Sequence, residues 1–293
     1  MSNCELETFK FVPTLRNKSA FTLIELLVVI AIIAVLMGIL MPSLKLAREQ
    51  ARAINCLANQ RSLSQAYVMY ADDNGGIVCG GWARYNSINK VPSWVLPPLE
   101  RGAGGNIIEM PKGNVTLEQR INGIKAGALY TYINNPGAYH CPGDMRKNLG
   151  TTLGSEMAYL IFRSYSLTDY MRATQKNDPK KLWNFKNPAT KMLFVEEIYD
   201  GAAGNHNHNA WSYMPNKNSL WDPLGNFHST ACTFSFMDGH ADRKKWQDKR
   251  TVIYFSSRTE AAVSGFGKGS QFVPTNKDLI WLDIHYPGKT RLK

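Results

Sequence analysis

The chain has 293 residues, a formal net charge of +11 at neutral pH and 44% hydrophobic residues, among them seven Trp, thirteen Tyr and twelve Phe. This aromatic content in a chain of this length excludes a disordered tail and supplies a sizeable core. The basic balance raises nonspecific attraction to nucleic acid or anionic lipid. The cations are scattered, however, with Arg243-Lys244-Lys245 only a small group, and they read as solvated surface.

Residues 1–20 form a polar leader in which Lys10, Arg16 and Lys18 oppose Glu5 and Glu7. From Phe21 to Met41 the chain is apolar, with only Thr22 and Glu25 polar and Gly38 the one weak helix former. About 20 such residues cross the hydrocarbon core of a bilayer as a helix. The run exceeds the roughly 7–15 apolar residues of a secretory signal. Met41-Pro42-Ser43-Leu44-Lys45 offers no small-x-small cleavage site, so a plain signal anchor is the competing reading. The positive-inside rule keeps the leader cytoplasmic and sends the bulk of the chain outward. A carboxylate inside such a run is costly and marks a function.

Lys18-Ser19-Ala20 followed by Phe21-Thr22-Leu23-Ile24-Glu25 resembles the N-terminus of type IV prepilins and type II secretion pseudopilins. The resemblance implies cleavage between Ala20 and Phe21 by prepilin peptidase on the cytoplasmic face, N-methylation of Phe21, and retention of the apolar helix. Ala20 stands where the family usually has Gly. It implies for Glu25 a pairing with the Phe21 ammonium of a neighbouring subunit, because opposite charges inside lipid offset each other's desolvation only when they meet.

Pro42 predicts a kink just past the apolar run, since it removes a helical hydrogen bond. The helical period then resumes over residues 42–72. Leu44, Ala47, Ala51, Ile54, Ala58, Leu63, Ala66 and Tyr70 mark its apolar side, and Arg48, Glu49, Arg52, Gln60 and Arg61 its solvated side. A helix from residue 21 to 70 measures about 75 Å. Asp72-Asp73-Asn74-Gly75-Gly76 ends it, since Gly accepts the left-handed conformation of helix stops. Residues 73–293 then make one globular head.

Cys4 lies in the leader; Cys56, Cys79, Cys141 and Cys232 remain, allowing three disulfide connectivities or four small buried residues. No C-x-x-C spacing argues for zinc. Residues 80–127 are rich in Pro and Gly. Gly127-Ala128-Leu129-Tyr130-Thr131-Tyr132 and Tyr139-His140-Cys141-Pro142-Gly143-Asp144 follow, and together they resemble a segment of large pilin-like proteins in which an aromatic pair precedes a Cys-Pro-x-Asp turn. His140 and Cys141 read as turn and core rather than as metal ligands.

Residues 157–165 and 191–197 read as strands. Glu196, Glu197 and Asp200, next to Asn205-His206-Asn207-His208-Asn209, form a polar group suited to calcium, which takes six to eight oxygens, although no EF-hand spacing is present. His228 followed ten residues later by Asp238-Gly239 resembles the His-x9-Asp-Gly signature of the same family. Cys232, Phe234 and Phe236 alternate before it, and the Asp-Gly predicts a hairpin turn with Trp246 closing the return strand.

His206, His208, His228 and His240 with Asp238 and Asp242 lack the spacing of a metallohydrolase, and no nucleophile elbow, phosphate loop or dinucleotide fingerprint occurs. With no enzyme motif against it, the resemblance implies a non-enzymatic, single-pass α+β protein without a required cofactor, a structural subunit of a type IV pilus or a type II secretion-like pseudopilus. Its long N-terminal helix, part membrane and part amphipathic, packs on an antiparallel sheet. As partners the resemblance implies prepilin peptidase, related pilin subunits, an inner-membrane assembly platform and lipid. The competing function is a surface binder of polysaccharide or DNA, with Trp82, Trp94, Trp183, Trp211 and Trp221 as stacking candidates.

Overall fold

A computed structural model describes residues 22–83, 91–102, 104–109, 116–144, 163–171, 181–197, 210–214, 219–220, 222–256 and 276–288. Two compact units divide between Ala47 and Arg48, within the first helix, α1 (Leu23–Asp73).

In the first unit the side chains of α1 are exposed, from Val29 at 45% to Leu23 at 78%. By length and composition this stretch is apolar enough to cross a membrane. A helix apolar on every side is at home in lipid or among other helices, not in water. The helix runs through Pro42 without a break, and the Ser43 hydroxyl donates to Leu40 O at 2.8 Å beside it.

The second unit holds the remaining described strands and α-helices. These are β1 (Leu99–Arg101), β2 (Ile107–Glu109), α2 (Leu117–Lys125), α3 (Tyr130–Ile133), β3 (Tyr165–Leu167), β4 (Met192–Glu196), β5 (Tyr213–Met214), β6 (Ser219–Leu220), β7 (Ala231–Phe236), β8 (Ala241–Lys245), α4 (Lys249–Ser256) and α5 (Lys277–His285). Strands β3, β4, β7 and β8 form one antiparallel sheet in that order, while β1–β2 and β5–β6 are separate antiparallel pairs. The architecture is α+β, a long helix with an antiparallel sheet.

Strand period explains how the sheet divides its faces. Cys232, Phe234 and Phe236 join Trp246, Tyr254, Phe255, Leu279 and Leu282 in one core. Thr233 and Ser235 alternate to the other face, where Thr233 Oγ1 accepts from Gln60 of α1 and Ser235 Oγ from the Phe194 amide of β4. There Tyr67, Leu63, Trp94, Tyr139, Leu193 and Phe194 build a second core. The β4–β7 register shifts between Met192 and Val195, and Ser235 Oγ takes the Phe194 amide at 3.2 Å. Such a bulge re-aims side chains, and it lets Met192 and Val195 serve one core while Leu193 and Phe194 serve the other.

The buried side of α1 differs from the amphipathic reading. Ala53, Cys56, Gln60, Leu63, Ser64, Ala66, Tyr67 and Tyr70 are buried, whereas Ala51, Ile54 and Ala58 are not. Gln60 belongs to the core because its amide donates to Thr233 O at 2.7 Å. Ser64 donates to Phe236 O at 2.6 Å. These polar groups satisfy strand carbonyls, a role that hydropathy does not register. Leu63, Ala66 and Tyr70 lie where the period places them.

The helix stops as its composition requires. Gly75 and Gly76 adopt φ of 63° and 83°, and the Gly76 amide donates to Ala71 O at 2.7 Å. Of the stretch 157–165 read as a strand, residues 157–162 lie outside the described residues; the observed strand begins at Tyr165 and runs to Leu167.

Candidate functional site

Two sites emerge, one in each unit. At the start of α1, Glu25 Oε2 accepts from the Thr22 amide and the Thr22 hydroxyl, both at 2.8 Å, and Thr22 Oγ1 accepts from the Glu25 amide at 3.3 Å. This is a capping box, which satisfies first-turn donors and makes the carboxylate compatible with the helix start. Ala20 and Phe21 lie outside the described residues.

The second site is buried in the head. Cys56 comes from α1, Cys141 from the turn after the second aromatic segment, Glu196 from the end of β4 and His228 from the approach to β7. The donor atoms of all four lie within 4.8 Å of one another, and all four residues are buried. The sulfurs of Cys56 and Cys141 are 2.6 Å apart. His228 Nε2 lies 3.3 Å from Cys141 Sγ and 3.0 Å from Glu196 Oε1. Glu196 Oε2 accepts from the Thr233 amide at 2.9 Å, and Cys141 Sγ accepts from the Gly143 amide at 3.3 Å.

The local sequence explains each placement. Cys141-Pro142-Gly143-Asp144 closes a turn through Asp144 N–H to Cys141 O at 2.9 Å. The Ser164 hydroxyl donates to Asp144 Oδ2 at 2.7 Å and also accepts from the Cys141 amide at 3.0 Å, fixing that turn against the chain entering β3. His228 is anchored by its carbonyl, which accepts from Arg243 Nη2 of β8 at 2.8 Å. The rest of the His-x9-Asp-Gly signature is the β7–β8 turn. Gly239 sits at φ 93°, its amide donates to Phe236 O at 3.0 Å, and Asp238 Oδ1 accepts from the His240 amide at 3.1 Å. Trp246 is buried behind β8, with its amide on Thr230 O at 2.9 Å.

The electrostatics follow from crowding negative groups in a dry pocket. Burial pushes the Cys141 thiol up, reinforced by Cys56 and Glu196. Burial also opposes ionisation of Cys56, but hydrogen bonds with Cys141 and His228 outweigh it and lower its pKa. At His228 burial favours the neutral ring, yet the bonds to Cys56 and Glu196 push the imidazole up to about 10. The pocket thus draws positive charge toward its two sulfurs and carboxylate.

Of the three acidic residues singled out for calcium, Glu196 and Glu197 are among the described residues. Glu196 serves the cluster, while Glu197 accepts from the Ser166 hydroxyl. Both are buried. Asp200, the loop 205–209 with His206 and His208, and Trp221 lie outside the described residues. His140 shares its Nδ1 with the Ser164 hydroxyl at 2.9 Å, beside the cluster rather than within it. Trp94 and Trp211 are core residues at 0% exposure; Trp82 is half-buried, and Trp183 is 62% exposed with Lys181 Nζ 4.9 Å from its ring centre. Cys79 and Cys232 are buried and outside the four-residue group.

The sequence reading does not bring Cys56, Cys141 and Glu196 together around His228. One signal is present. A carboxylate closing the apolar strand Met192-Leu193-Phe194-Val195 must find a buried partner.

Comparison with known proteins bears on the first site. Residues 15–41 match the family model described as a prokaryotic N-terminal methylation motif. Over this stretch the chain is prepilin-like. It is 45% identical over 60 residues to the type IV wide pilus major component PilA4 of Thermus thermophilus. That alignment covers 20% of this chain and 46% of the relative, so the chain spans about half the length of the curated relative it matches. No solved structure matches the chain. The prepilin-like motif includes Glu25 and its Thr22 cap together with most of the exposed apolar helix.

Proposed function

We propose that the protein is a structural, non-catalytic subunit of a type IV pilus or a type II secretion-like pseudopilus. It would be inserted with its leader cytoplasmic and its head periplasmic. Prepilin peptidase would cut between Ala20 and Phe21, Phe21 would be N-methylated, and an inner-membrane platform would lift the subunit from lipid into a fibre of related subunits. The observation that carries this reading is a methylation motif laid over a helix whose apolar side chains are exposed, with one carboxylate in the first turn. Such a surface needs lipid before assembly and neighbouring helices after it.

The prediction is a fibre. Material sheared from the source cells should contain this chain in filaments labelled by antibody against the head. The label should vanish when the assembly platform is removed, with the protein accumulating in the membrane fraction. Equal surface display without the platform would point instead to an anchored binder.

A further inference from the structure

We propose that Cys56, Cys141, His228 and Glu196 form a closed four-ligand site for a divalent transition metal, with Zn²⁺ the ion whose chemistry fits. Two sulfurs, an imidazole nitrogen and a carboxylate oxygen converge from four separate parts of the chain within a 4.8 Å span. Zinc takes four ligands of this mixed kind, and closed protein-only tetrahedra are the structural class. With zinc–ligand bonds of about 2.0–2.3 Å, neighbouring donors in a tetrahedron sit roughly 3.3–3.8 Å apart. The Cys141–His228 contact at 3.3 Å is already there, and the His228–Glu196 contact at 3.0 Å is close. The sulfurs, 2.6 Å apart, would separate by about 1 Å to admit the ion.

Three features favour a metal over a disulfide between the same cysteines. A disulfide has no need of a buried imidazole and a buried carboxylate aimed at it, whereas an ion accounts for both side chains, each at 0% exposure. The Gly143 amide donates to Cys141 Sγ, the bond expected of a thiolate ligand. The Thr233 amide orients Glu196 through the oxygen that does not face His228, as a ligating carboxylate is held from behind. An ion here ties α1 to the Cys-Pro-Gly-Asp turn, the end of β4 and the approach to β7. The first residue of the His-x9-Asp-Gly signature then has a chemical task that the hairpin turn does not explain.

The test uses the full chain, purified in detergent without chelator. Elemental analysis after dialysis should return about one zinc per chain. Mass spectrometry after denaturation should find Cys56 and Cys141 both alkylatable. Replacing zinc by Co²⁺ should give visible bands of a tetrahedral ion and sulfur-to-cobalt charge transfer of two thiolates. Both signals should fall at least tenfold in Cys56→Ser and His228→Gln and persist in Cys79→Ala. If the variants do not fold, the wild-type cobalt spectrum and zinc content decide alone. A Cys56–Cys141 disulfide in metal-free protein overturns the site. So do an absence of both metal and disulfide, and stoichiometric zinc indifferent to His228→Gln in folded protein.

Discussion

Replacing Glu25 by Gln should abolish fibre assembly while leaving the protein inserted in the membrane. In the isolated chain the Glu25 carboxylate is satisfied by Thr22 at 2.8 Å from both amide and hydroxyl, so the free subunit needs no partner at that position. A glutamine keeps an acceptor for that cap and removes only the charge. In the proposed function, cleavage before Phe21 would create an ammonium that loses its water when the helix packs among others. Leaving one member of a buried ion pair without its partner costs about 3–5 kcal/mol. At about 1.4 kcal/mol per factor of ten, this weakens each subunit addition a hundredfold or more, and a fibre multiplies the deficit at every step. The sheared fraction of Glu25→Gln cells should contain essentially none of the protein, with the membrane pool undiminished. Wild-type fibre yield from Glu25→Gln would mean that the side chain is a helix cap and nothing more.

Truncating Trp94 to Ala should be the most damaging single change in the head. The indole is fully buried, stacks on Tyr139 with centroids 5.8 Å apart, meets the Phe194 ring edge-on at 5.1 Å and donates from Nε1 to Gly81 O at 3.0 Å. It therefore joins the loop after α1, the aromatic segment before Cys141 and the central strand β4. Large-to-small replacements of buried Trp or Phe cost about 3–5 kcal/mol. In a domain of this size each kcal/mol lowers the melting temperature by roughly 2–4 °C, so a fall of about 10 °C is expected. Thermal unfolding followed by circular dichroism checks it. Trp183→Ala, at a ring that is largely in solvent, should shift the midpoint far less. Equal shifts for the two would contradict the assignment of Trp94 to the centre of the core.

Why the apolar N-terminal run is readable and much of the head is not is a matter of sequence distance. The apolar run from Phe21 to Met41 declares itself because membrane insertion depends on local composition alone. The β7–β8 hairpin is equally local. Alternation over residues 232–236 and an Asp-Gly turn specify it, and its strands appear at Ala231–Phe236 and Ala241–Lys245. The face of α1 is misread from hydropathy because its core side includes Gln60 and Ser64. Their partners Thr233 and Phe236 lie 173 and 172 residues away. The four-ligand cluster is hidden for the same reason: Cys56 meets Cys141 across 85 residues, and Cys141 meets His228 across 87. Motif spacing finds ligands that share a turn or a helix, and these four share neither. The bulge in β4 is likewise invisible to a strict period of two, since it lets the consecutive residues Leu193 and Phe194 serve one core.

The measurement that bears most directly on the whole account is the mass of the mature amino terminus, taken from cells with and without prepilin peptidase. A peptidase-dependent start at a methylated Phe21 is the predicted result, and it would show that Ala20 is accepted before the cut. An uncut chain beginning at Met1 or Ser2 in both strains would contradict it, leaving a signal-anchored head and no route into a fibre.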